Sequence, residues 1–193
     1  MRNNLQQWFD REGERFLAGI GLRPNDTVLD FGCGEGVYSI PAAALVGEGG
    51  AVFALDRSRH YLNHIIEKSA EMGLSNIATV QNLDELKRTL HGSLLDVALF
   101  YDVIHSYYFT AIERTRLFLS IRPMMRAGGI VSIFPRHMNR GEIRTVTSEL
   151  RNLGFFPQGE KSTKLMHDGN YISGYTIQAK KGKGAHDAEN KTV

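Results

Sequence analysis

Residues 28–36 read Val-Leu-Asp-Phe-Gly-Cys-Gly-Glu-Gly: an apolar run closes on an acid, Asp30, and Gly32, Gly34 and Gly36 follow at alternate positions. The chemistry such a stretch supports is binding. Glycines let the backbone approach a ligand closely, and a helix starting at Val37 would present unpaired N–H groups at its N-terminus. A dinucleotide fingerprint, G-x-G-x-x-G, needs its third glycine at position 37, which is Val37, so the spacing here is G-x-G-x-G. A second acid, Asp56, ends the apolar run 51–55, with Arg57 beside it. A carboxylate at a strand's C-terminal end, one crossover after a glycine turn, is placed to accept hydrogen bonds from both hydroxyls of a ribose. An isolated aspartate there would merely begin a turn; the glycine stretch upstream favours the ribose. A third group lies at 101–109, Tyr-Asp-Val-Ile-His-Ser-Tyr-Tyr-Phe, and carries His105, whose imidazole ordinarily titrates near neutral pH.

Positioning these residues takes strands that end just before them. Apolar runs at 27–31, 51–55, 77–81, 94–100 and about 130–133 read as strands, the last after Gly128-Gly129. Helices are expected between them: 37–46, then one capped by Ser58 with Leu62, Ile65, Ile66, Ser69 and Met72 on one stripe. Thr110 and Glu113 form a capping box for a helix carrying Ile112, Leu117, Phe118, Leu119 and Ile121, which Pro123 ends or kinks. Another helix is expected over 140–152, with Gly154 past its end. Residues 158–166 and 171–180 alternate as two antiparallel strands around the turn 167–170, where His167 reads as a solvated turn residue more readily than as a ligand. Leu5, Trp8, Phe9, Phe16, Leu17 and Ile20 make residues 4–20 an amphipathic helix, with Trp8 and Phe9 read as core aromatics. Strands alternating with helices and closed by an antiparallel pair define a doubly wound α/β sheet, whose ligands bind beyond the strand C-termini where the strand order reverses.

Length and composition narrow the classes. At 193 residues the chain holds one domain with a sizeable core. A net charge of +2, from 23 basic and 21 acidic side chains, does not point to a nucleic-acid surface. Cys33 is the only cysteine, which excludes an internal disulfide or a cysteine metal cluster, fits a reducing compartment, and reads as a small residue with a buried thiol. No apolar stretch is long enough to be a signal peptide or to span a bilayer, so a cytoplasmic protein is expected. Residues 181–193 lack apolar periodicity and are expected to form a disordered tail.

The Val-Leu-Asp run with its G-x-G-x-G turn, the acid at 56, the strand 94–100 opened by an acid at Asp96, and the Gly128-Gly129 turn before a fifth strand together resemble the class I S-adenosylmethionine-dependent methyltransferases. The resemblance covers about residues 5–180 and looks closest to the small-molecule branch that includes quinone-biosynthesis methyltransferases. It implies a seven-stranded sheet, mostly parallel with an antiparallel C-terminal hairpin, in the order 3-2-1-4-5-7-6. It also divides the chain into an N-terminal helix (1–20) packed on the core and an S-adenosylmethionine-binding domain (21–180). The implied cofactor residues are Asp30, Gly32, Cys33, Gly34, Gly36, Asp56, Arg57, Asn82, Leu83 and Tyr101. Asn82 stands where the family commonly has an aspartate that accepts from the adenine amino group; an amide oxygen can accept the same bond, and amides also favour turns. No metal is implied. The implied reaction is in-line transfer of the sulfonium methyl, for which aligning donor and acceptor and excluding water are the main requirements.

The loops after the fourth and fifth strands would flank the methyl group, and they carry Tyr101, Asp102, His105, Tyr107 and Tyr108, then Arg136 and His137. Aromatic and basic groups together suit a planar or anionic small-molecule acceptor, with His105 as the candidate general base. The Asn/Asp-Pro-Pro-Tyr/Phe motif of amino-methylating nucleic-acid enzymes is missing at the fourth strand, and a pyrimidine C5 methyltransferase would need a cysteine there. An RNA methyltransferase of another branch and a non-catalytic cofactor-binding subunit are the alternatives. No motif in the chain defines an oligomeric state.

Overall fold

Apolar runs buried on both faces form the centre of the sheet. In a computed structural model, which describes residues 3–183, β1 (Thr27–Phe31), β2 (Ala51–Leu55), β3 (Ile77–Val80), β4 (Leu95–Tyr101) and β5 (Met125–Phe134) run parallel. β7 (Asn170–Lys181) pairs antiparallel with β5, and β6 (Phe155–His167) with β7, so the order is 3-2-1-4-5-7-6. Every residue of β4 is buried, as a central strand covered on both sides requires.

Helices cover the two faces. Val28 points into one core with Trp8, Leu17, Ile40 and Ile65; Leu29, the next residue, points into the other with Leu86, Phe100, Phe118 and Leu150. The first core lies under α1 (Asn4–Gln7), a π-helical turn (Trp8–Glu12), α2 (Gly13–Ile20), α3 (Ser39–Val46) and α4 (Arg59–Glu71). The second lies under α5 (Leu83–Thr89), α6 (Ala111–Ile121) and α7 (Arg140–Asn152).

Register places the site. Phe31 pairs with Leu55 and Leu55 with Val80, so three parallel strands end abreast and deliver Gly32, Asp56 and Asn82 to one edge. Tyr101 pairs with Phe134, so the loops that begin at Asp102 and Pro135 also leave the sheet side by side. Between these two groups, at β1 and β4, the strand order reverses.

Several expectations are corrected in detail. The helix over 4–20 is interrupted by the π-helical turn, and Gly13 fits where a Cβ would meet Pro41 at 2.7 Å. Trp8 and Phe9 are buried, and Trp8 Nε1 donates to Val37 O at 2.7 Å, so both belong to the core. α3 starts at Ser39, two residues later than expected. Ile66, Met72, Ile112 and Leu119 lie on helical stripes yet are exposed. β5 begins at Met125 and carries Gly128-Gly129 as an irregularity between the pairs Leu95–Met125 and Val97–Ile130. α5 was not expected: it has seven residues with only Leu86 buried, too little for a visible period. Of the expected tail, Lys181 closes β7 and its Nζ donates to Met125 O, while residues 184–193 lie outside the described residues.

Candidate active site

The turn after β1 is built from glycines used for different reasons. Gly32 and Gly36 leave no room for a side chain: a Cβ would stand 2.5 Å from Val103 Cγ1 and 2.7 Å from Ile65 Cγ1, respectively. Gly34, at φ +51°, faces open space, so a side chain there would occupy the volume in front of the loop. Leu55 O accepts from the N–H groups of Gly32 (2.7 Å) and Cys33 (3.0 Å), tying the turn to β2. Asp56 completes the tie: its two oxygens accept from Gly34 N (3.1 Å) and Ser58 N (2.8 Å). Each carboxylate oxygen retains a second acceptor position for a ligand hydroxyl.

Gly32, Gly34, Asp56 and Arg57 line a cavity of about 410 Å³ together with Phe31, Leu55, Tyr61, Asp102, Val103, Tyr108 and Phe109. A second cavity, of about 650 Å³, shares Phe31, Leu55, Arg57 and Phe109 with the first and runs on past Asn82 and Leu83. Asn82 Oδ1 caps α5 by accepting from Glu85 N at 2.9 Å, so the amide at this position does serve a helix start. Six of the ten expected cofactor residues therefore line these two cavities.

The other four stand behind them. Asp30 is buried, accepts from Ser39 Oγ at 2.6 Å, and burial pushes its carboxyl up to about 6, with the nearby Asp56 charge adding to the rise. Burial likewise pushes the Cys33 thiol up, which leaves it an inert, protonated group. Gly36 packs on Ile65. Tyr101 is a core residue: its ring lies edge-on to Tyr38 at 4.5 Å and its hydroxyl is 2.9 Å from Ser132 Oγ. Phe31 and Phe109 also line the cavities without having been singled out from the sequence; their signal is position, at a strand end and in the loop after β4. Asp96, the acid that opens the fourth strand, is structural, accepting from Thr27 N at 2.6 Å and pairing with Arg126 at 2.5 Å.

Beside the first cavity the loops after β4 and β5 meet. Asp102, at φ +58°, has Oδ1 2.6 Å from His137 Nδ1 and 3.9 Å from His105 Nε2. His105 is buried, its ring 4.8 Å from that of Tyr108 and 5.5 Å from that of His137, and it does not line the cavity that Asp102 lines. His167 is not a solvated turn residue: the turn proper is Asp168-Gly169, both at positive φ, and His167 points inward with Nδ1 3.8 Å from Asp102 Oδ2. Arg114 holds the loop from below, pairing with Glu149 at 2.7 Å and 2.9 Å and donating to Ile104 O at 3.3 Å. Ser106 N donates to Glu142 Oε1 of α7 at 3.2 Å.

Sheet order, glycine turn and the acid at the end of β2 together define the class I S-adenosylmethionine-dependent methyltransferase fold. Comparison with known proteins agrees: a family described as "Methyltransferase domain" matches residues 22–163, and the chain belongs to that family. Among solved structures, magnesium protoporphyrin IX methyltransferase from Synechocystis PCC 6803, solved with bound S-adenosylmethionine, is similar at TM-score 0.63 and 21% identity over 93% of this chain and 80% of that one. A structure described as a putative rRNA-methylase from Clostridium thermocellum is similar at TM-score 0.61 and 17% identity, covering 94% of this chain and 98% of that one. Among curated proteins, nocamycin O-methyltransferase of Saccharothrix syringae is 33% identical over 72 residues, 37% of this chain and 26% of that protein. The chain spans about a quarter to a third of the length of the first curated relatives that it matches. No helix among the described residues is long and apolar enough to cross a membrane.

Proposed function

We propose that the protein transfers the methyl group of S-adenosylmethionine to a small-molecule acceptor by in-line displacement. One observation carries the reading: a single cavity is walled by Gly32, Gly34 and Asp56, from the turns after β1 and β2, and by Asp102 and Tyr108 of the loop after β4. In this reading Asp56 accepts from the ribose hydroxyls with the lone pairs that Gly34 N and Ser58 N leave, while Arg57, Asn82 and Leu83 flank the adenine. Gly34 allows the methionyl part to lie against backbone. Asp30, Cys33, Gly36 and Tyr101 act by holding this wall in shape. Attack on the methyl carbon cancels the sulfonium charge, so rate comes from alignment and from excluding water in a site lined by Phe31, Leu55 and Phe109.

The exposed aromatics Tyr107 and Tyr108, with Arg136 and His137, support an acceptor that is planar or anionic. His105 stands behind this wall, which supports a role shared with Asp102 and His137 over that of a lone base. The test is a screen with a methyl-labelled donor against cell extract split into metabolite and RNA fractions. Label in a small molecule is expected. Label confined to RNA would move the acceptor to nucleic acid, and donor binding with no labelled product would make the chain a cofactor-binding subunit.

A further inference from the structure

Three of the chain's seven histidines converge on one carboxylate, two from separate loops and one from a strand end. Asp102 and His105 follow β4, His137 follows β5, and His167 ends β6. Asp102, His105 and His137 each offer one ligand atom, and these atoms all lie within 4.8 Å of one another. A hydrogen-bonded network accounts for the contact between Asp102 and His137 at 2.6 Å, but not for His105, whose Nε2 is 3.9 Å from the same oxygen, beyond hydrogen-bond reach. Ligands about 2.0–2.2 Å from a tetrahedral ion lie roughly 3.3–3.6 Å apart; the spacings of 2.6 Å and 3.9 Å fall on either side of that range and all three atoms lie within 4.8 Å, so seating an ion takes local movement of these side chains. Two imidazoles and one carboxylate leave an open coordination position, the composition of catalytic zinc sites, whereas an all-oxygen set would suit Mg²⁺ or Ca²⁺.

We propose that Asp102, His105 and His137 bind one divalent transition-metal ion of the Zn²⁺ or Co²⁺ kind, and that the ion holds an ionisable hydroxyl or thiol of the acceptor at its open position. The site stands on the geometry; the use of the ion rests on the methyltransferase reading. Asp102 belongs both to this cluster and to the lining of the cavity that Gly32 and Gly34 also line, so in the methyltransferase reading an acceptor atom on the ion would share that cavity with the methyl donor. A bound Zn²⁺ lowers the pKa of water to about 7, and an acceptor O–H or S–H on the ion would lose its proton to solvent in the same way. The freed lone pair then forms the bond to the methyl carbon as the carbon–sulfur bond breaks and its electron pair stays on sulfur. The products are the methylated acceptor, S-adenosylhomocysteine and one proton, with no change of oxidation state at the metal.

The test uses the full chain carrying His64→Ala, because His60 and His64 are exposed, lie four apart on α4, and would add a weak surface site. Zn²⁺ is titrated by calorimetry and Co²⁺ by its visible absorption, and S-adenosylmethionine binding is measured on the same samples. One equivalent of ion is expected, with tetrahedral Co²⁺ bands. His137→Ala, at a position 55% exposed in its side chain and so safe for the fold, should weaken ion binding by more than the roughly 10–100-fold lost with an outer-shell partner. His167→Ala should fall within that smaller range. Folded protein that binds S-adenosylmethionine but neither ion, or His137→Ala that binds the ion as tightly as the parent, overturns the site. Ion binding without S-adenosylmethionine binding would support the site and contradict the proposed function.

Discussion

Asp56 serves the fold and the proposed ligand with the same two oxygens. Asp56→Ala should weaken S-adenosylmethionine binding by one to two decades, because a charge-assisted hydrogen bond is worth about 1.5–3 kcal/mol. Calorimetry on a variant with an unchanged circular dichroism spectrum checks this, and unchanged affinity would move the ribose contact elsewhere. Asp30 has the opposite balance, since the hydrogen bonds from the Ser39 hydroxyl and backbone do not offset the burial that disfavours its carboxylate. A carboxyl raised from 3.8 to about 6 on folding contributes stability that is present below its unfolded pKa and lost as pH rises through about 6. Asp30→Asn should therefore gain on the wild type by about 3 kcal/mol between about pH 4 and pH 7, read from urea melts at each pH, at 1.36 kcal/mol per pKa unit. A difference that stays constant across this range would contradict the buried charge. The glycines, Asp56 and Arg57 were legible in the sequence because turn chemistry and strand-end acids have local signatures. Tyr101 and His167 were not, because the direction of a side chain at a strand end depends on which strands flank it.

The loop 102–109 is positioned by elements distant in sequence. Arg114 of α6 reaches Glu149 of α7 and the carbonyls of Ile104 and Phe109, and its side chain is only 5% exposed. Arg114→Ala strands a buried carboxylate and should destabilise the fold by about 3–5 kcal/mol, whereas Arg114→Met with Glu149→Leu should recover most of that loss. The double variant should still turn over acceptor slowly, since the two loop carbonyls lose their donor. A single substitution that leaves the urea midpoint unchanged would show the pair to be dispensable. Such long-range pairing has no sequence signature. α5 has no sequence signature for a different reason: one buried leucine in seven residues leaves no period, and the amide at Asn82 that caps the helix suits an adenine contact equally well.

At the scale of the whole molecule, parallel register does the assembling. Because β1, β2 and β3 end abreast, a glycine turn, a strand-end acid and an amide separated by some fifty residues share one edge. Because β4 and β5 end abreast, Asp102 meets His137. The sheet order that the family resemblance implies holds in full, and it keeps to the rule that crossovers between parallel strands are right-handed. The measurement that tests the central claim most directly is calorimetric titration of the whole chain with S-adenosylmethionine, S-adenosylhomocysteine and NAD in parallel. Saturable binding of the first two at one site per chain, with no heat from NAD, is expected. Binding of NAD in the absence of any S-adenosylmethionine binding would contradict it.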